Sequence, residues 1–284
     1  MKYFAATSAL AATGAGLSSS AAAQPVAGAP TGRYRHSACR WCYPKLSLDD
    51  LCVAGKEIGL ASIELLTVEE LPTLAKYDLK CAMVFGVPGG ITHGLNRREH
   101  HDAIVAFMEK AIPATADAGH PAVICFSGNR EGQSDEEGLE ICAEGLARLT
   151  PIAEKYGVNL SMELLNSKVN HPDYQCDNSA WGVALCEKVG SPRFGLLYDI
   201  YHMQIMEGDL IRTIRDHHQW FNHYHTGGNP GRNELDGLYQ EINYPAVMRA
   251  LAEVGYAGYV GQEFVPAEDD PLASLRRAVA LCSV

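Results

Sequence analysis

The feature that most constrains this chain is a strict alternation of short apolar runs with longer amphipathic patterns, beginning near residue 33. Runs of four to six residues with strand character recur eight times, and a helical pattern follows each of them. The predicted strands cover residues 35–39, 62–65, 80–85, 122–126, 159–164, 194–198, 221–225 and 258–263. The predicted helices cover residues 48–58, 69–77, 99–118, 135–156, 179–189, 209–215, 244–254 and 272–281. Such alternation implies parallel strands joined by right-handed crossovers.

Eight strand–helix units in a chain of 284 residues favour a closed barrel over an open doubly wound sheet. No Gly-x-Gly-x-x-Gly follows the first predicted strand, which removes the main support for a dinucleotide-binding sheet. The length suits one large domain better than two ordinary ones. We therefore predict an α/β fold consisting of a single (β/α)8 TIM barrel over residues 33–284.

The N-terminal segment has the pattern of an export signal. Lys2 supplies a positive charge, an alanine-rich apolar stretch follows, and Ala21 and Ala23 place small residues before a cleavage point. We predict a signal peptide over residues 1–23, a disordered linker over residues 24–32, and an exported, periplasmic mature protein. No apolar run reaches the roughly 18 residues of a bilayer span, so we expect no membrane association.

Charge and cysteine content narrow the classes of partner. The formal net charge of -11 argues against a nucleic-acid binder, which needs clustered lysine and arginine, and favours a small-molecule substrate. The nine cysteines form an odd set without zinc-ribbon spacing, and only Cys39 and Cys42 make a C-x-x-C pair. We interpret them as small buried side chains, with one local disulfide as the alternative.

Metal-capable side chains end four consecutive predicted strands: Glu163, Asp199, His225 and Glu263. In a TIM barrel the carboxyl ends of the strands form the active-site mouth, so these side chains should converge there. Each one alone is more often a surface group, but four on successive strands are hard to explain in that way. Three buried carboxylates need a neutralising cation. An oxygen-rich set with one nitrogen suits one divalent ion, Mn²⁺ or Mg²⁺ before Co²⁺ or Zn²⁺.

Two histidines compete for the place of nitrogen ligand. His223 and His225 lie two residues apart on one predicted strand, so both side chains point to the same face. We favour His225 because it is nearer to the carboxyl end of the strand.

This site suggests proton transfer next to a carbonyl group. A metal that binds neighbouring hydroxyl and carbonyl oxygens acidifies the intervening C–H and stabilises an enediolate. Glu163 and Glu263 could flank such a ligand and act as acid and base. The prediction is a metal-dependent isomerase acting on a hydroxypyruvate-like or sugar-like α-hydroxy carbonyl compound.

Three segments carry a resemblance to a known family: residues 162–168 (MELLNSK), 198–209 (YDIYHMQIMEGD) and 223–234 (HYHTGGNPGRNE). They resemble the xylose isomerase-like TIM barrels, nearest to the hydroxypyruvate isomerase branch. The resemblance implies that the four strand-end residues hold a metal, and that His202 and Arg232 contact substrate oxygens. Hydroxypyruvate isomerases usually carry His-x-Gln where this chain has His223 and His225, as ketose 3-epimerases do, so the substrate stays open.

Further substrate contacts are expected in the loops that follow the strands. We include Asn129, Lys168 and, in the third segment, Glu234. Trp41 follows the first predicted strand, where it could form an aromatic wall or simply pack against the rim.

Alternative functions keep the same barrel. An exported 3-keto-sugar lyase or hydratase, or a ketose 3-epimerase, would use the same metal site, and a non-catalytic sugar-binding protein would bind without proton exchange. An abasic-site nuclease of this fold needs more histidines and a basic face, which this acidic chain does not offer. Barrels of this type often dimerise, so a homodimer is a further expectation.

Overall fold

The computed structural model describes residues 34–284, so the predicted signal peptide and linker lie outside the described residues. The strands are β1 (Arg35–Cys39), β2 (Ser62–Glu64), β3 (Ala122–Cys125), β4 (Asn159–Leu164), β5 (Phe194–Asp199), β6 (Phe221–Thr226) and β7 (Tyr259–Gln262). The helices are α1 (Leu48–Ile58), α2 (Leu71–Ala75), α3 (Arg98–Asp117), α4 (Asp135–Tyr156), α5 (Ser179–Val189), α6 (Ile200–Met206), α7 (Leu210–His217), α8 (Tyr244–Glu253) and α9 (Pro271–Cys282). None of the helices in this part of the chain is long and apolar enough to cross a membrane.

All strand pairs are parallel, in the order β2-β1-β7-β6-β5-β4-β3. The stretch 80–85 lies between β2 and β3 and forms single parallel bridges to both, through Lys80 with Ser62 and through Val84 with Leu66 and Val123. These bridges close the sheet into a barrel surrounded by helices. The predicted TIM-barrel fold is confirmed.

The predicted third strand is wrong in detail, because residues 80–85 form no regular ladder. The backbone N–H of Cys81 donates to His120 Nδ1 at 3.2 Å, and the N–H of Ala82 donates to Ser62 Oγ at 2.8 Å. Side-chain atoms therefore accept hydrogen bonds from backbone N–H groups that would donate to a neighbouring strand in a regular ladder. The local apolar pattern cannot reveal this competition.

The predicted helices agree closely with the structure where caps are present. Ser47, Ser134 and Asn178 accept a hydrogen bond from the backbone N–H three residues on, and so begin α1, α4 and α5. Each of these helices ends at a glycine in the left-handed conformation, Gly59, Gly157 and Gly190. Helix α6 was not predicted. It begins directly at the end of β5 because the Asp199 carboxylate accepts from the backbone N–H of His202.

All nine cysteines lie in the described part of the chain, as buried free thiols without a disulfide among them. Of the two interpretations above, the structure agrees with small buried side chains.

Candidate metal centre and substrate cavity

The four strand-end residues meet at the carboxyl end of the barrel. Glu163 lies on β4, Asp199 ends β5, His225 lies on β6, and Glu263 directly follows β7. Each offers a ligand atom, and these atoms all lie within 4.8 Å of one another. All four residues are buried, with exposures of 5% or less. Neighbouring parallel strands in register bring together side chains that are up to 100 residues apart in sequence.

The imidazole of His225 faces two of the carboxylates. Its Nδ1 lies 2.7 Å from Glu263 Oε2 and 3.3 Å from Glu163 Oε1. His223 instead points to a deeper layer, where its Nε2 lies 2.8 Å from Glu64 Oε1. The structure thus places His225, and not His223, among the carboxylates.

Glu64, at the end of β2, is a residue that the sequence reasoning missed. Its Oε1 also lies 2.7 Å from His225 Nε2, so one carboxylate holds both histidines, and Glu64 itself is fully buried. Gly261 on β7 leaves the room for this arrangement, because a Cβ there would lie 2.7 Å from His225 Cδ2. Glu64 lies one residue before the end of the predicted strand 62–65, which is the position that Glu163 has in the predicted strand 159–164.

The electrostatics of the cluster show a shortage of positive charge. Burial, together with the charges of Glu263 and Glu163, raises the pKa of Asp199 to about 7 against the opposing effect of Arg232. Burial and the charge of Glu263 also raise the pKa of Glu163. Burial opposes ionisation of Glu263 as well, but His225 and Arg232 outweigh it and hold that pKa well below its usual range. Three carboxylates and one imidazole nitrogen at this spacing fit a divalent cation.

Arg232 and Trp41 complete the cluster. Arg232 Nη2 donates to Glu263 Oε2 at 2.8 Å and to Asp199 Oδ2 at 3.2 Å. Its guanidinium lies 5.3 Å from the Trp41 ring centre and 5.2 Å from that of Tyr201. Trp41 Nε1 donates to Glu263 Oε1 at 2.7 Å, so the predicted aromatic wall also holds one of the carboxylates.

His202, an expected substrate contact, lies beside Asp199. Its Nδ1 accepts from the backbone N–H of Asn166 at 3.2 Å, and its Nε2 lies 3.8 Å from Asp199 Oδ2. Nε2 is buried and has no hydrogen-bond partner in the described part of the protein. Burial and the charge of Arg232 lower the pKa of His202 well below its usual value. A neutral imidazole that accepts at Nδ1 carries its proton on Nε2 and can donate to a ligand oxygen.

A cavity of about 310 Å³ opens onto the cluster. Glu163, Arg232, Glu263 and His171 form its polar side. Seven apolar residues form the remainder: Trp41, Leu65, Phe85, Ile91, Ile124, Phe126 and Leu165.

Of the five expected substrate contacts, Arg232 lines this cavity, whereas His202, Lys168, Glu234 and Asn129 do not. Lys168 Nζ donates to the carbonyls of Ile205 and Met206, because the last turn of α6 leaves those oxygens free. Glu234 Oε1 accepts from two backbone N–H groups in the loop before α9 and from the hydroxyl of Ser274 in α9. Asn129 pairs through its backbone with Thr92 and Asn96 and does not line the cavity. Loop side chains follow such long-range contacts, which the spacing of residues in the sequence does not encode.

The barrel fold and the cluster of acidic and histidine side chains at its strand ends define a class of TIM-barrel protein, and comparison with known proteins shows which family this is. The profile of the xylose isomerase-like TIM barrel family matches residues 56–281, and the chain belongs to this family.

Among curated relatives, a putative hydroxypyruvate isomerase from Homo sapiens is 35% identical over 167 residues, which is 57% of this chain and 60% of that protein. A 2-oxo-tetronate isomerase from Pectobacterium atrosepticum is 25% identical over 75% of this chain and 84% of its own length. The human match thus covers about three fifths of the relative.

A solved structure titled as a family 2 AP endonuclease from Brucella melitensis has a TM-score of 0.75. It is 24% identical and covers 85% of this chain and 96% of its own, which supports the fold.

Proposed function

We propose that this protein is a metal-dependent isomerase or epimerase that acts on an α-hydroxy carbonyl compound. The observation that carries the proposal is the position of Glu163 and Glu263, which share His225 and both line the cavity. The relatives that are named isomerases support the same reaction class.

The proposed cofactor is one divalent cation, with Mn²⁺ or Mg²⁺ favoured and Co²⁺ or Zn²⁺ as alternatives. Glu163, Asp199, His225 and Glu263 would hold it. When bound, the cation would polarise the substrate carbonyl and acidify the neighbouring C–H.

The protein's own side chains would then move the proton. One glutamate removes the proton from the carbon that carries the hydroxyl group, and the C–H electron pair forms a C=C bond while the carbonyl electrons move to oxygen. Return of a proton to the former carbonyl carbon completes an isomerisation, with the C=C electrons forming the new C–H bond, while the hydroxyl proton passes to the former carbonyl oxygen and the electrons of that O–H bond form the new C=O bond. Return to the opposite face of the original carbon by the second glutamate completes an epimerisation. His202 Nε2 and Arg232 would hold substrate oxygens during both steps.

Deuterium exchange tests this proposal directly. We expect the Mn²⁺-loaded protein in D₂O to incorporate deuterium next to the carbonyl of at least one of hydroxypyruvate, D-fructose and a 3-keto-glucoside. Chelation should lower the rate at least about 100-fold, and added metal should restore it. A metal-free protein that keeps the full rate contradicts the proposal. Binding without exchange would identify a sugar-binding protein instead, and a glycal-type or hydrated product would identify a 3-keto-sugar lyase or hydratase.

We also propose that the chain is exported after cleavage behind Ala23. The N-terminal composition motivates this localisation. N-terminal sequencing of the protein from a periplasmic fraction should begin at Gln24, whereas an intact N-terminus in the cytoplasmic fraction would contradict it.

A further inference from the structure

The cavity provides little for a charged substrate. Among the described residues that line it, Arg232 is the one lysine or arginine. Its Nη2 bonds to Asp199 and Glu263, so these carboxylates already compensate its positive charge, although the guanidinium can still donate to a substrate hydroxyl. His171 also lines the cavity, but burial and the charge of Arg232 lower its pKa, which favours the neutral imidazole.

Other cations in the loops at this end of the barrel are occupied elsewhere. Arg130 pairs with Asp177 and Asp135. Arg40 donates to the carbonyls of Tyr43 and Leu46. Lys168 likewise donates to backbone carbonyls at the end of α6. None of these three residues lines the cavity.

Carboxylates outnumber the arginines and lysines at the metal cluster. Glu64, which contacts His223 and His225, and Glu163, Asp199 and Glu263 are four buried carboxylates, whereas Arg232 and a divalent cation, once bound, would supply three positive charges. A substrate carboxylate would add a further buried negative charge, which is unfavourable in a partly desolvated cavity.

The side of the cavity away from the metal cluster is carbon-rich. Phe85 and Phe126 meet edge to face, with ring centres 6.4 Å apart, and Leu165 lies among the same lining residues. Phe85 is 37% exposed and Trp41 45% exposed, so both rings keep apolar surface uncovered at the mouth. A volume of about 310 Å³ reaches the lower end of cavities that hold ligands much larger than a three-carbon acid.

We propose that the substrate is an uncharged polyhydroxy ketone of sugar size, a free ketose or a keto-glycoside, whose C–H face lies against Trp41, Phe85 and Phe126. The proposal rests on the function proposed above and departs from the carboxylate substrates in the relatives' names. The hydroxyl and carbonyl oxygens of the substrate face the metal cluster, where Glu163 and Glu263 transfer the proton. The apolar wall selects the remainder of the molecule by shape and by the absence of charge.

A matched pair of ligands isolates the effect of charge. Dihydroxyacetone carries a hydroxymethyl group at the position where hydroxypyruvate carries a carboxylate. Calorimetric titration of the Mn²⁺-loaded full chain should give dihydroxyacetone at least about tenfold tighter binding than hydroxypyruvate. Tighter binding or faster deuterium exchange with hydroxypyruvate overturns the proposal. Because binding is measured separately from exchange, a protein that exchanges nothing contradicts the proposed function while the titration still decides the charge preference.

Substitution of the wall tests the effect of size. Phe85→Ala should raise the KM for a 3-keto-glucoside about tenfold and leave that for dihydroxyacetone unchanged, with Phe85→Leu as the matched apolar control. Phe85 is partly exposed, so this change spares the core. Equal effects on both compounds contradict a role in recognising the sugar.

A complementary variant supplies the missing cation. Ile91→Lys should improve hydroxypyruvate binding about tenfold, whereas Ile91→Gln should not. If Ile91→Lys leaves hydroxypyruvate binding unchanged, charge is not what the cavity selects.

Discussion

The two halves of the barrel are built differently. Strands β4 to β6 are six residues long each and pair with their neighbours and β7 over several residues, with one register shift between Leu196 and Leu197. This half provides Glu163, Asp199, His225 and Glu263. The half from β1 to β3 has strands of three to five residues and the irregular stretch 80–85, and it provides most of the apolar wall.

This difference separates two tasks in one cavity. A metal cluster needs ligand atoms at fixed spacing, which long, well-paired strands supply. An apolar surface for the proposed substrate needs area and shape more than fixed polar groups, and shorter, less regular segments can supply it. Glu64 and Trp41 are the exceptions, because they come from the first half and bond to His225 and Glu263 of the second.

The largest effect is expected for the two glutamates that the β4–β7 half of the barrel contributes to the cavity. Glu163→Gln and Glu263→Gln should each lower the rate of deuterium exchange about 10²- to 10⁴-fold, because each removes a group that carries the proton. Glu144→Gln is a control, since this carboxylate pairs with Arg98 on the outer helices. A glutamine variant that exchanges at the normal rate would remove that glutamate from the mechanism.

A smaller effect tests whether Glu64 serves the metal cluster from the first half. Because it holds His225 through Nε2, Glu64→Gln should weaken Mn²⁺ binding about 10- to 100-fold by allowing the imidazole to turn. Metal titration and the histidine nitrogen resonances measure this without any substrate. Unchanged affinity together with an unchanged His225 tautomer would make Glu64 a purely structural residue.

The smallest effect is expected at Trp41, which both donates a hydrogen bond to Glu263 and lines the apolar wall of the cavity. Trp41→Phe keeps an aromatic ring but removes the N–H that donates to Glu263 at 2.7 Å. We expect kcat to fall about tenfold with KM nearly unchanged, since a hydrogen bond to a charged group is lost while the wall remains. A rise in KM at constant kcat would mean that the indole acts through substrate contact alone.

Much of the site was predictable because regular strands carry it. The pattern of β4 to β7 fixes which residues end each strand, and the parallel barrel then brings those ends together. Glu64 obeys the same rule, since β2 ends at Glu64, but it was overlooked because the prediction rested on four consecutive strands and 62–65 is not among them. The loop residues Lys168, Asn129 and Glu234 followed no such rule. Contacts with distant backbone groups hold the side chains of Lys168 and Glu234, and Asn129 is held through its own backbone.

By itself, the sequence determined the barrel class and four converging metal-capable residues, because strand periodicity and alternation with helices are local properties of the chain. Only the tertiary structure decided which histidine faces the carboxylates of the metal cluster and that Glu64 contacts it. It also decided that residues 80–85 form no regular ladder, because side chains of Ser62 and His120 accept two of their backbone hydrogen bonds. It also decided that the cavity is carbon-rich, with its one arginine bound to two carboxylates. These features depend on contacts between residues far apart in sequence, whose distances and directions no local pattern specifies.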